Sequence, residues 1–215
     1  MPWPPPPIRW NRPPQKAEPI RLCCATGNAG KLREFRLAAD ELGPSQPVEI
    51  ELLPGFHDLP PVVEDGDTFG ANAMIKASYY SRHCPGLLFA DDSGLVVDAL
   101  DGAPGVYSAR FSGPGASDES NNRLLLERMR GIENRAAHFV CLIALARAGR
   151  VLGIYAGAVS GVILEEPRGA GGFGYDPLFY CPALEQTFGE LEDSRKFSVS
   201  HRGQALRRML RALAP

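Results

Sequence analysis

Two carboxylates stand side by side in the stretch LLFADDSGLVVDAL. Asp91 and Asp92 follow the apolar run Leu87, Leu88, Phe89, Ala90, and Ser93 and Gly94 come next, before a second apolar run. Read locally, the serine and glycine turn the chain and leave the acids at a strand end. Such a pair serves either as a solvated turn or as chemistry. Hard divalent cations such as Mg²⁺ take oxygen ligands and need only one or two carboxylates besides substrate phosphates. A carboxylate also accepts a proton from an attacking water. Glu64 and Asp65 are candidates for a further ligand. No H-E-x-x-H run and no Cys/His cluster competes for a zinc reading.

Three other stretches carry chemistry. In ATGNAGK, residues 25–31, a turn containing Gly27 and Gly30 follows an apolar run and opens a helix beside Lys31. Backbone N–H groups at a helix start attract anions, and a lysine adds a point charge. The P-loop spacing is absent, since Ala25 holds its first glycine position and Leu32 follows the lysine. The turn is either an anion site or an ordinary strand-to-helix turn capped by Asn28. In GGFGYDPLFY, residues 171–180, glycines surround Phe173 and Tyr175. Glycine lets backbone approach a ligand, and an aromatic ring there stacks on a flat base; two core aromatics on a tight turn are the other reading. In KFSVSHRGQAL, Lys196 suits a phosphate, and His201 and Arg202 offer donors to ring oxygens, or simply cap a helix.

These residues need elements to position them. IRLCCA and VEIELL read as short strands, and LREFRLAADELG as a helix ended by Gly43. TFGANAMIKASYYSRHC has helical spacing at Phe69, Ala73, Ala77 and Tyr80. GLLFA and GLVVDAL read as two strands around the acidic turn. DESNNRLLLERMRG reads as a capped helix closed by Gly131, and AAHFVCLIALARA with RVLGIYAGAVSGVIL as a hairpin. A last helix carries Leu206, Met209, Leu210 and Leu213 on one stripe, with Arg207, Arg208 and Arg211 away from it. Strand–helix alternation together with a long hairpin predicts an α/β fold with a mixed sheet.

The 215 residues are 44% hydrophobic with a formal charge of −2, enough for a sizeable core and too little positive charge for a nucleic-acid grip. Apolar runs are too short for a bilayer span, and the first twenty residues lack the apolar segment of a signal peptide. Residues 1–19 hold eight prolines and are expected to form a solvated, extended tail, with one domain over 20–215. Five cysteines without C-x-x-C spacing are expected as free thiols in a reducing cytoplasm.

Taken together, ATGNAGKLREF, DTFGANAMIKA, FADDSGLVVDALDGAPGVYSARFSG, GGFGYDPLFY and SHRGQAL resemble the inosine/xanthosine triphosphate pyrophosphatase family, the Ham1-like nucleotidases, from about residue 22 to 213. The resemblance implies a two-lobed α/β fold around a long twisted mixed sheet with flanking helices. It places a nucleotide in the cleft between the lobes. It also implies a homodimer, Mg²⁺, and hydrolysis of deaminated purine nucleoside triphosphates (ITP, dITP, XTP) to monophosphate and pyrophosphate. Carried over by residue, Thr26, Gly27, Asn28, Ala29, Gly30 and Lys31 match the phosphate turn. Asp92 matches the proton acceptor and metal acid, and Glu64 a metal-associated glutamate. Ser93 matches a substrate contact, and Phe173, Gly174, Tyr175 and Asp176 the base loop. Lys196, His201 and Arg202 match C-terminal substrate contacts. One departure is Ala71 in FGANA, where the family pattern F-x-E-N-A has an acid; if that acid serves the metal or its surroundings, activity is expected to be weaker or to need Glu64 and Asp91 more, with an active enzyme still expected. A nucleotide sensor without hydrolysis, or a pyrophosphatase for other modified triphosphates, are the alternatives.

Overall fold

The computed structural model describes residues 18–40 and 47–213; the tail residues 1–17 and the helix end expected at Gly43 lie outside them. The chain starts with a βαβ unit. Strand β1 (Ile20–Cys24), helix α1 (Ala29–Asp40) and strand β2 (Val48–Leu52) lay two parallel strands side by side. After helix α2 (Phe69–Tyr80), strand β3 (Leu87–Val97) returns parallel to β1. Helix α3 (Asp118–Arg128) leads into the hairpin β4 (Ala136–Arg147) and β5 (Arg150–Ile163), which pairs antiparallel with β3. The short strands β6 (Phe179–Cys181) and β7 (Gln186–Thr187) complete one seven-stranded mixed sheet of order β2-β1-β3-β4-β5-β6-β7. Helices α4 (Asp193–Val199) and α5 (His201–Leu213) close the chain.

Local chemistry explains most boundaries. Thr68 caps α2 by accepting from the Ala71 N–H, and Ser117 and Ser120 form a reciprocal capping box at α3. The β4–β5 turn places Ala148 and Gly149 at positive φ, the twist that a two-residue hairpin requires. The stripe Leu206, Met209, Leu210 of α5 is buried as its spacing predicts.

The turn expected at Ser93–Gly94 is not there. β3 runs unbroken through the acids, so Asp91 and Asp92 lie in mid-strand, not at a strand end. Gly94 serves close approach: a Cβ on it would meet Ser108 Oγ at 2.2 Å. Ser108 belongs to a 3₁₀ segment, Gly105–Arg110, that presses on the strand, and its hydroxyl accepts from the Leu95 N–H at 2.9 Å.

The core divides by sheet face and sheet end. One face packs α1, α4 and α5 through Phe35, Phe197 and Leu206. The opposite face packs α2 through Ala73, Ala77 and Tyr80. The far end gathers Leu125, Phe139, Phe179 and Phe188 under α3. β3 and β4 contribute to all three clusters. α5 lies directly against β5 at Gly157, where a Cβ would sit 2.1 Å from the His201 carbonyl oxygen. Backbone on both sides leaves nothing to yield, so Gly157→Ala is expected to destabilise the fold by about 1–3 kcal/mol, read from urea or thermal unfolding.

Candidate active site

The turn of residues 25–31 is built by a capped helix. The Asn28 side chain accepts from the Lys31 N–H at 3.1 Å, and the Asn28 N–H donates to Thr26 Oγ1 at 3.2 Å. The capping reading and the anion-site reading are therefore compatible: Asn28 shapes the turn, and the first N–H groups of α1 remain open to an anion.

Successive residues of a strand point to opposite sheet faces, so the two acids of β3 part company. Asp91 joins the α1 and α5 side. It is 2% exposed and accepts from Lys31 Nζ at 2.9 Å and Ser93 Oγ at 3.0 Å. Burial works to raise its pKa, but Lys31, Lys76 and Arg202 outweigh burial and hold it below the ordinary aspartate value. Asp92 joins the α2 side, where Lys76 Nζ lies at 3.1 Å and Asn72 Nδ2 at 3.3 Å. Burial raises its pKa, with Asp91 adding to the rise, and Lys76 and Lys31 do not cancel it. One acid is thus a fixed anion and the other a readier proton acceptor.

Lys76 also donates to Glu64 Oε2 at 2.6 Å, so one ammonium joins Glu64 and Asp92. Burial opposes its charge, but Asp91, Asp92 and Glu64 more than compensate and its pKa is raised. Lys31 and Lys76 thus face three carboxylates, Asp91, Asp92 and Glu64. That leaves one negative charge in surplus where a polyanion would have to bind. The donors are all carboxylate oxygens, and among the described residues no three His, Cys, Asp or Glu side chains form a ready-made metal cage. Carboxylate oxygens suit a hard cation that keeps part of its water. Ala71 leaves the first turn of α2 without an acid.

A second cluster lies under the glycine loop. Lys196 Nζ is held by Glu34 at 2.5 Å and Asp176 at 2.6 Å, and Arg202 Nη1 donates to Glu34 at 2.9 Å. Arg202 Nη2 reaches Ser93 Oγ at 3.3 Å, linking this cluster to Asp91. Burial would raise the pKa of Glu34, but Arg202 and Lys196 hold it low; that of Asp176 stays raised by its burial. The Phe173 ring lies over both cations, 4.9 Å from Lys196 Nζ and 4.8 Å from the Arg202 guanidinium carbon.

A cleft of about 230 Å³ joins the two clusters. Asn28, Lys31, Glu64, Asp92, Ser93, Phe173, Gly174, Tyr175, Asp176 and Arg202 line it. Thr26, Gly27, Ala29 and Gly30 complete the turn behind Asn28 and Lys31. Lys196 sits beneath the wall at 2% exposure. Tyr175 turns into the core, with its hydroxyl donating to the Ser108 carbonyl at 2.8 Å. His201 is fully buried and stacks on Phe139 at 4.8 Å; burial and the cations Arg202, Lys196 and Lys31 keep it neutral. Lys76, Asn72 and Glu34 escaped the sequence reading. Asn72 and Lys76 lie four apart on α2, each one position before Ala73 and Ala77 of the apolar stripe, a polar pair that spacing alone could have flagged. Nothing in LREF marks Glu34 as buried.

The sequence model of the Ham1 family matches residues 22–212. The chain belongs to the Ham1 family. Among curated relatives of this Ham1 chain, the dITP/XTP pyrophosphatase of Acidobacterium capsulatum is 48% identical over 203 residues, covering 90% of this chain and 98% of that protein. The dITP/XTP pyrophosphatase of Geobacter sulfurreducens is 50% identical over 188 residues, covering 86% and 92%. Among solved structures, the HAM1 protein of Coxiella burnetii superposes with a TM-score of 0.79 at 37% identity, covering 90% of this chain and 98% of that one. The Staphylococcus aureus Ham1 protein gives 0.78 at 34%, covering 90% and 97%.

Glu34 is the hub of the second cluster, and its removal leaves two buried cations short of a partner. Glu34→Ala is expected to lower unfolding stability by about 3 kcal/mol or more, measured by urea titration.

Proposed function

We propose that this Ham1 protein hydrolyses deaminated purine nucleoside triphosphates, ITP, dITP and XTP, to the monophosphate and pyrophosphate, and so clears them from the nucleotide pool. The carrying observation is Asp92: a buried carboxylate of raised pKa, held by Lys76 and Asn72, in a cleft that also contains a helix start and an aromatic–arginine wall. The name borne by the relatives supports the same reaction.

The triphosphate lies along the start of α1, where backbone N–H groups and Lys31 hold its oxygens. Glu64 and Asp92 would hold Mg²⁺, which when bound offsets the surplus negative charge and polarises phosphate oxygens. Asp92 takes the proton of a water that attacks the α-phosphorus. The bond from that phosphorus to the bridging oxygen breaks, and pyrophosphate leaves with its electron pair. Asp91, fixed by Lys31 on the other face, keeps the lysine oriented.

Base choice follows from donors. Arg202 lines the cleft, carries donors only, and has its buried Nε without a hydrogen-bond partner among the described residues. A 6-oxo purine supplies an acceptor for such a group; adenine presents an amino donor and leaves it unpaired. Phe173 supplies the stacking face.

The homodimer belongs to the same proposal. Leu152 and Ile154 are 51% and 45% exposed at alternating positions of β5, an apolar face that a second copy would cover. Light scattering should give twice 23.3 kDa. A cytoplasmic site of action is in keeping with five free cysteines. Among the described residues no helix is long and apolar enough to cross a membrane. A net charge of −2 supports a small-molecule substrate over nucleic acid.

Asp92→Asn should lower kcat for ITP by about two orders of magnitude, the share of general-base catalysis, with the fold intact by circular dichroism. Near-parental turnover in that variant rejects the assignment. A panel of triphosphates should favour ITP over ATP in kcat/KM by about 10² or more. Chelation should abolish release of pyrophosphate and added Mg²⁺ restore it.

A further inference from the structure

The glycine loop that carries Phe173 lies between two open spaces. On one side lies the cleft, and on the other an open groove of about 970 Å³ lined by α3 and residues 169–174. Within the loop, the Phe173 N–H donates to Asp176 at 2.8 Å and the Gly171 N–H to the Gly189 carbonyl at 2.9 Å. Across to α3, both backbone polar groups of one residue, Gly174, are engaged. The Gly174 N–H donates to Asp118 Oδ2 at 2.6 Å, and the Gly174 carbonyl accepts from Asn122 Nδ2 at 2.9 Å. Asp118 and Asn122 lie one turn apart at the start of α3, whose capping box fixes that turn.

The neighbouring residue holds the other wall. Asn121 Nδ2 donates to the Ser108 and Ala109 carbonyls at 3.4 and 3.3 Å, and its Oδ1 accepts from the Ser112 N–H at 2.8 Å. Ser108, Ala109, Phe173 and Gly174 all border the cleft. The first turn of α3 therefore spans the gap between the two walls with a run of side chains that touch neither cluster of catalytic charges.

We propose that Asp118 and Asn122 are positioning residues for base recognition: by clamping the backbone of Gly174 to α3 on both its N–H and its carbonyl they set where the Phe173 ring lies, and hence how tightly the purine is held. The inference rests on the nucleotide reading above. Asp118 borders the cleft, but the bonds that it and Asn122 make go to Gly174 and not to Lys31, Glu64 or Asp92. A lost clamp should weaken the base end of the ligand and leave the phosphate end alone.

Product inhibition separates the two ends. In Asp118→Ala and Asn122→Ala, the inhibition constant for IMP is expected to rise about tenfold, the worth of one hydrogen bond. That for inorganic pyrophosphate should stay within twofold, and KM for ITP should rise more than kcat falls. Asp118→Asn, which keeps an acceptor, should recover most of the IMP affinity. Asp118 is exposed, so its truncation spares the core. Unchanged IMP inhibition in both alanine variants would overturn the clamp, as would equal weakening of IMP and pyrophosphate. A wild-type protein that makes no IMP from ITP would instead sink the nucleotide reading itself.

Discussion

The alternation of a β-strand is the constraint on which the site turns. Asp91 and Asp92 are neighbours in sequence yet serve different faces of β3. Had the chain turned at Ser93, both acids would have shared one solvated corner and repelled each other. In the strand, each meets its own lysine, Lys31 from α1 and Lys76 from α2. The sheet thus keeps two carboxylates close in space with opposite tendencies, one held ionised and one eased toward protonation. That division is what a hydrolytic site needs: a stable electrostatic frame beside a group able to take a proton.

The frame extends through buried charge. Arg202 contacts Glu34 and Ser93, Ser93 contacts Asp91, and Asp91 contacts Lys31, so α5, α1 and β3 are joined by one chain of polar contacts. Buried ion pairs add little net stability over apolar packing of the same volume, because each ion loses its hydration. Their presence here fits a role in the nucleotide reading: the cations are preorganised beneath Phe173, ready for a ligand. The fold carries the cost of that arrangement in its three apolar clusters.

Much of this was legible in the chain, and the gaps have physical causes. The α5 stripe, the β4–β5 hairpin and the capped α3 follow from periodicity and turn chemistry, which are local. The acid motif was misread in shape because Ser-Gly is a turn signal by local rules, whereas Gly94 answers to Ser108, fourteen positions on and against the strand only in three dimensions. Tyr175 shares its glycine setting with Phe173, yet one ring enters the core and the other lies over two cations; sequence gives no means to tell them apart. His201 reads as a donor beside Arg202; it is buried against Phe139, with neither ring nitrogen hydrogen-bonded among the described residues. Lys76 and Glu34 matter through partners far away in sequence, which spacing does not reveal.

β3 and β4 thread every core cluster, while the Phe173 loop stands between two open spaces. Backbone amides exchange with deuterated solvent only when their segment opens, and opening costs most where packing is continuous on all sides. The strand that carries Asp92 therefore opens late, and the loop that carries Phe173 opens before it. Rigidity is concentrated at the two acids of β3, and give at the aromatic wall of the cleft.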